Sequence, residues 1–144
     1  MPVKPENEDN QTLVNNAVTI LLSGDNKVYW YFGELKPETK LTPTDYSPNG
    51  LRKLFLDKNA FAVDKIKQLR DQAVKSNMAD TTLKRMEVEV KGDKRSLMVL
   101  VKADDKAVYK NVVDVLDELN ITMIGKYAIV DIGQQEFDLI KSFQ

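Results

Sequence analysis

The chain has 144 residues, of which 42% are hydrophobic and 30% are charged, so it can bury one sizeable core and is short for two domains. Its 21 basic and 22 acidic residues leave a net charge of −1, and nothing in this balance points to nucleic acid or an anionic membrane surface as a partner. The absence of cysteine and histidine excludes thiol- and imidazole-based catalysis and zinc sites with the usual ligands.

The first residues, 1–16, are rich in Pro, Glu and Asn and almost free of apolar side chains. Such a segment cannot bury enough surface to offset the entropy cost of ordering, so we expect a flexible N-terminal tether followed by a single domain over residues 17–144. No stretch has the roughly 18 to 20 consecutive apolar residues of a membrane-spanning helix, and the N-terminus lacks the features of a signal peptide.

A β-hairpin is predicted at the start of the domain. β-Rich runs at 17–23 and 27–33 flank the turn at 24–26, whose sequence Gly-Asp-Asn is typical of hairpins.

The second run of the hairpin has aromatic residues on both faces. Alternation turns Tyr29 and Tyr31 to one face and Val28, Trp30 and Phe32 to the other. One alternative is that the two tyrosines lie beneath the segment that follows, or are half-buried with their hydroxyls in water. The other is that this face and the unpaired backbone groups of a sheet edge bind a peptide or a second copy of the chain. The candidate partner or dimer surface comprises Leu21, Tyr29, Tyr31 and Tyr127.

A loop and two helices are predicted next. The stretch 34–46 contains two prolines and many threonines, which is typical of a loop. Ser47 followed by Pro48 favours a helix start, and a second helix should run to about Asn77. The apolar faces of the two helices comprise Leu51, Leu54 and Phe55 in the first and Val63, Ile66, Leu69 and Ala73 in the second.

The stretch 80–94 is ambiguous. Leu83 and Met86 suit a helix, whereas residues 86–90 alternate like a strand. We expect a helix that ends near Met86 and a solvated connection after it.

A compact β-α-β core is predicted over 97–132. The run 97–101 is apolar without alternation, as expected of a strand covered on both faces, and a second strand follows at 127–132. Between them, Asp104 or Asp105 occupies the place of a helix N-cap. The apolar stripe of this helix comprises Val108, Val112, Val115, Leu116 and Leu119, and Asn120 follows as a left-handed cap.

The expected fold class is α+β. The N-terminal hairpin and the β-α-β core should form one small mixed sheet with two or three helices packed on one face. A short C-terminal amphipathic helix is also predicted after Gly133, and its apolar residues are Phe137, Ile140 and Phe143.

The sequence contains no arrangement of residues that indicates catalysis. The six glycines are isolated, so no phosphate-binding loop is predicted. Asp114, Asp117 and Glu118 lie close together on one helix, but such a group is typical of a solvated helix face rather than a cation site. Capping accounts for Asp104. We therefore predict no catalytic residue, no cofactor and no metal site.

The β-α-β region nevertheless contains a signature order of residues. Its members are Lys102, Ala103 and Asp104 in succession, then Tyr109, Leu116 and Gly125. Over roughly 97–132 this order resembles the periplasmic domain of the ExbD/TolR family, in which a basic-Ala-Asp tripeptide closes a strand, a Tyr follows on the helix and an Ile-Gly precedes the last strand. The amino-acid sequence around these positions is most similar to that of the long ExbD proteins of Bacteroidetes-type bacteria. Relative to short members of the family, residues 34–96 would be an extended helical insert.

The resemblance implies a location and a set of partners. It implies a periplasmic homodimer, anchored to the inner membrane by an N-terminal transmembrane helix that is absent from this chain. The domain would belong to the ExbD subunit of the proton-motive-force-driven ExbB-ExbD-TonB complex, contact ExbB through that missing helix, bind the periplasmic segment of TonB and transmit energy for outer-membrane import. It would catalyse no reaction.

Two alternative functions stay open. The first is a TolR-like subunit that binds peptidoglycan in the Tol envelope system. The second, of another class, is a small-molecule-binding α+β domain, which a large apolar pocket with convergent polar groups and perturbed pKa values would favour.

Lys102 and Tyr109 are signature positions that a plain β-α-β unit does not require. One interpretation is that the lysine extends from a strand end into water and that the tyrosine packs at the first helical turn with its hydroxyl bonded locally. The resemblance implies instead that this corner supports the dimer or the partner groove.

Overall fold

A computed structural model describes residues 16–143 of the chain. Over these residues the protein is an α+β fold with one mixed, open five-stranded sheet and five α-helices, which confirms the predicted fold class at this level. The tether predicted over 1–16 lies outside the described residues except for Asn16. None of the described helices is both long and apolar enough to cross a membrane.

The predicted hairpin is present. Strands β1, Ala17–Leu22, and β2, Val28–Phe32, pair antiparallel. Between them, Asp25 and Asn26 adopt φ angles of 60° and 59°. Positive φ at both central positions is the mark of a type I′ turn, whose twist matches that of the flanking strands, and Asp and Asn tolerate this conformation better than other side chains.

The sheet has the strand order β3-β2-β1-β4-β5. Strand β3, Thr42–Thr44, lies within 34–46, so the prediction of a continuous loop is wrong at these residues. It pairs antiparallel with β2 at one edge of the sheet. Pro43 is compatible with this position because an edge strand needs backbone N–H groups on one side only.

The helical region begins where the sequence predicts. A π-helical turn, Pro48–Arg52, leads into α1, Lys53–Lys58, and then α2, Ala60–Ser76. The side chain of Ser47 makes no capping hydrogen bond, and its hydroxyl donates to Asp45 Oδ1 at 2.5 Å. Proline at the first helical position, rather than a side-chain cap, is therefore the local signal for this start.

Helix α3 occupies Asp80–Lys91 and continues past Met86, where the prediction ends it. Glu87 on α3 accepts hydrogen bonds from Arg70 on α2 at 2.8 and 3.3 Å, which joins the two helices side by side. The strand-like alternation does not correspond to a strand, since Val88 is 66% exposed on the helix surface. The contact with α2 decides in favour of helix.

The predicted β-α-β core consists of β4, Met98–Ala103, α4, Tyr109–Ile121, and β5, Lys126–Ile129. Strand β4 pairs in parallel with both β1 and β5. The strand–helix–strand order therefore agrees with the prediction, although β5 is shorter than the predicted 127–132.

The ends of α4 differ from the prediction. Asp104 Oδ1 accepts the N–H groups of Lys106 and Ala107, at 2.8 and 3.1 Å, and so closes a turn before the helix rather than capping the helix itself. At the other end, the left-handed residue is Met123, with φ 65°, and not Asn120.

The apolar stripe of α4 is also shifted. Val108 is 56% exposed, whereas Asn111 and Glu118 take buried places beside Val115 and Leu119. These two polar residues are tolerated because each has a partner on a neighbouring segment: Asn111 donates to Asn26, and Glu118 pairs with Arg52.

The sheet is covered on both faces, whereas the sequence predicts helices on one face only. The main core lies on the side of α1 and α4, and the second core lies on the opposite side, where helix α5, Gln134–Phe143, covers β1 and β2. An apolar second face needs a cover because its exposure to water would be unfavourable. The second core comprises Leu21, Tyr29, Tyr31, Leu41 and Ile140, with Leu35, Ile132 and Leu139 packed against it.

Candidate functional site

The four residues of the candidate partner or dimer surface do not share one exposed surface. Leu21, Tyr29 and Tyr31 are 0%, 3% and 6% exposed and lie in the second core, whereas Tyr127 on β5 is 47% exposed. Leu41, from the segment after the hairpin, packs with them. The interpretation that the two tyrosines lie beneath the segment that follows is therefore confirmed, with α5 as a further part of the cover.

A buried carboxylate lies where α5 meets the sheet. Glu136 is 1% exposed. Its Oε2 accepts hydrogen bonds from the Tyr31 hydroxyl at 2.6 Å and from Lys102 Nζ at 2.7 Å, and its Oε1 accepts the Gly133 N–H at 2.8 Å. We call these four residues the Glu136 centre.

Sequence reasoning missed Glu136. The local signal for it is the spacing between Gly133 and Glu136, because a Glu three residues after a helix N-cap accepts the backbone N–H of that cap. Its partners Tyr31 and Lys102 lie on β2 and β4 and are remote in sequence, so no local pattern could indicate them.

The environment of the Glu136 centre keeps the carboxylate ionised. Burial on its own would raise the pKa of Glu136, but the hydrogen bonds from Lys102, Tyr31 and Gly133 outweigh it and leave this pKa lowered. Burial, together with the hydrogen bond to Glu136, raises the pKa of Tyr31. An ionised carboxylate between a neutral phenol and an ammonium group is suited to holding α5 on the sheet.

Lys102 differs from the interpretation that its side chain extends from a strand end into water. It does not extend into water, because its side chain is 16% exposed and its ammonium group pairs with Glu136 at 2.7 Å. Its neighbour Ala103 pairs with Leu22 in the sheet register. The lysine of the signature tripeptide therefore contributes a contact between β4 and α5.

Asp104 has a larger role than capping. It is 7% exposed, and its Oδ2 accepts the hydroxyl hydrogen of Ser23 at 2.6 Å. Together with the turn that its Oδ1 closes, this bond ties the ends of the parallel strands β1 and β4 to each other. Capping alone does not account for this residue.

The remaining signature positions are separated in space and exposure. Leu116 is partly buried against the main core. Tyr109 is 80% exposed at the start of α4, so it does not pack at the first helical turn as one interpretation predicts. Gly125 lies against α3, where a Cβ would come within 2.7 Å of Lys91 Cβ.

Strand β5 forms an open edge of the sheet. The Val130 N–H donates inward to the Val101 carbonyl at 3.0 Å. Because successive residues of a strand direct their backbone groups to alternate sides, Tyr127 and Ile129 direct theirs outward. Their side chains are 47% and 56% exposed. We call Tyr127 and Ile129 the β5 edge, and it combines outward backbone groups with apolar side chains.

Two open cavities lie at the far end of α5. One, of about 420 Å³, lies against the hairpin turn and β3, and the other, of about 250 Å³, lies beside Leu41. Phe143 lines both, and the Glu136 centre lines neither. Within residues 16–143 no group of three or more His, Cys, Asp or Glu side chains could hold a metal ion.

Comparison of the chain with models of known protein families, with curated proteins and with solved structures gives no match. The geometry of these residues and the signature order are therefore the basis for a functional proposal.

Proposed function

We propose that this chain is the periplasmic domain of an ExbD-type subunit, which binds an extended segment of a TonB-type partner and transmits motion rather than catalysing a reaction. The observation that carries the proposal is the Lys102-Ala103-Asp104 tripeptide at the end of β4, in a parallel β-α-β unit that finishes in the β5 edge. The periplasmic location, the membrane anchor and the contact with ExbB belong to the same proposal.

The β5 edge supports a peptide-binding role. An incoming extended segment can hydrogen-bond to outward N–H and C=O groups of an edge strand, while neighbouring apolar side chains provide specificity. The opposite edge, β3, contains Pro43, which lacks an N–H donor, and is only three residues long. The β5 edge is therefore the better of the two for pairing.

The same edge supports the proposed homodimer. Two copies that pair through β5 would extend the sheet across a two-fold axis and bury the side chains of Tyr127 and Ile129. Self-association and peptide binding would then compete for one strand.

The proposal is tested with a charge placed on the β5 edge. We expect Ile129→Asp to weaken self-association, and binding of a synthetic TonB periplasmic peptide, by at least about tenfold, because a charge would be buried in the interface. Analytical ultracentrifugation and calorimetric titration provide the two readouts. The matched control is Val88→Asp on α3, which alters a side chain that is 66% exposed and does not belong to the β5 edge, and should change neither readout.

Binding to purified peptidoglycan separates the proposal from its closest alternative. Co-sedimentation with peptidoglycan and no response to the TonB peptide would replace the ExbD-type assignment with a TolR-like one. A monomer that binds neither, with Ile129→Asp indistinguishable from the parent chain, would overturn both.

A further inference from the structure

Helix α5 is attached to the sheet through few buried side chains. Of its ten residues, Glu136 and Ile140 are buried. Phe143 is 46% exposed although its ring lies 4.9 Å from that of Tyr29. Beneath the helix lie Leu21 and Tyr31, so a small attachment covers a large aromatic part of the sheet.

The ion pair between Lys102 and Glu136 determines where α5 docks on the sheet more than it stabilises the docked helix. The Lys102–Glu136 pair is 2.7 Å long and its side chains are 16% and 1% exposed. Removing both charges from water costs about as much free energy as their attraction returns, so such a pair determines which arrangement forms without stabilising it greatly. Once α5 has left the sheet, both charges regain water and the cost disappears.

The C-terminal turn of α5 is not closely packed against its surroundings. Phe143 lines both cavities, of which the one of about 420 Å³ lies against Pro43 and the one of about 250 Å³ against Leu41. A close-packed contact would leave little such space. Among residues 16–143, several hydrogen bonds hold the N-terminal turn of α5 at the Glu136 centre.

We propose that α5 is a detachable cover, which leaves the sheet as one cooperative unit while β1 to β5 and α1 to α4 keep their fold. The hydrogen bonds and the ion pair of the Glu136 centre hold α5 in its docked position. Opening exposes Leu21, Tyr29 and Tyr31, which are otherwise inaccessible, and the device operates whether or not the chain has the function proposed above. Segments with few buried apolar contacts open at lower free energy than the core of the same domain.

The proposal is tested by amide hydrogen exchange on the full chain, followed residue by residue under native conditions. In the parent chain, the amides of α5 should exchange at least about tenfold faster than those of β1 and β4, which lie at the centre of the sheet. Lys102→Met leaves the Glu136 carboxylate buried without its cation only while α5 is docked. This variant should therefore speed α5 exchange by a further tenfold or more and leave the β1 and β4 rates within about twofold.

Two further variants keep the test decisive. Lys141→Met removes an exposed cation from the same helix and should leave all rates within about twofold. Tyr31→Phe removes a single hydroxyl donor and should also speed amide exchange in α5 alone. It takes the place of Lys102→Met in the comparison if the Lys102→Met variant unfolds globally. Equal rates for α5, β1 and β4 in the parent chain, or parallel changes in all three in these variants, would overturn the proposal, because α5 would then belong to one global unit.

Discussion

At the scale of single residues, Gly125 illustrates a contact that a local pattern does not reveal. A Cβ at this position would lie 2.7 Å from Lys91 Cβ, closer than such atoms approach in folded proteins. The Lys91 Cβ belongs to the backbone-held part of α3 and cannot rotate away. The turn before β5 therefore needs glycine because α3 passes beside it.

We predict that Gly125→Ala destabilises the protein by about 1 to 3 kcal/mol, because the added methyl group forces α3 and the turn apart. The midpoint of urea unfolding measures this loss. The matched control is Gly92→Ala, where a Cβ would meet its nearest neighbour at an ordinary 3.6 Å. Equal losses in the two variants would show that the close approach to Lys91 has no energetic effect.

At the scale of secondary-structure elements, Asn59 joins three parts of the fold. It lies between α1 and α2 and is 1% exposed. Its Nδ2 donates to the carbonyls of Thr122 and Met123 after α4, at 3.1 and 3.3 Å, and its Oδ1 accepts the Leu97 N–H before β4 at 3.0 Å. One carboxamide therefore satisfies backbone groups on two segments that are distant in sequence.

We predict that Asn59→Ala costs about 2 to 4 kcal/mol of unfolding free energy, since it leaves a buried N–H and two carbonyls without this partner and opens a small void. Asn120→Ala is the control on α4, because Asn120 is exposed. Chemical unfolding of both variants provides the comparison. A loss below about 1 kcal/mol for Asn59→Ala would mean that water replaces its hydrogen bonds.

At the scale of the whole molecule, composition and ionisation determine how stability depends on pH. The chain has no histidine and no cysteine, so no side chain has an ordinary pKa between about 5 and 8. Several carboxylates have lowered pKa values in the folded state. Hydrogen bonds from Arg70 lower the pKa of Glu87, those from Arg95 lower the pKa of Asp93 to about 2, and the pKa of Glu136 is lowered despite burial.

We predict a stability plateau from about pH 5.5 to 8 and a decline in acid. A group whose pKa is lower in the folded than in the unfolded state adds stability above its unfolded pKa, near 4 for these residues, and this stability is lost as pH falls toward the folded pKa. The urea midpoint as a function of pH measures the decline. Glu136→Gln should make it shallower, whereas Glu89→Gln, at an exposed position, should not. If the urea midpoint of Glu136→Gln declines in acid with the same slope as that of the parent chain, Glu136 does not contribute to the pH dependence.

Local pattern accounts for much of the fold. The hairpin, the two strands of the β-α-β unit, the amphipathic face of α2 and the C-terminal helix all appear at or near their predicted positions. These elements were predictable because turn residues and apolar periodicity act over a few neighbouring residues. The residues after Met86 were mispredicted because their pattern fits two periods, and tertiary contacts such as that of Glu87 with Arg70 distinguish the two.

The candidate surface shows the limit of the same reasoning. Alternation correctly separated Tyr29 and Tyr31 from the main core, but alternation says nothing about what covers the second face. The sequence by itself determined the hairpin, the β-α-β unit and the lack of histidine and cysteine chemistry, since these follow from neighbouring residues or from composition. Only the tertiary structure decided that α5 crosses back over the aromatic face and brings Glu136 to Tyr31 and Lys102, because a buried ion pair requires partners from distant parts of the chain to leave water together.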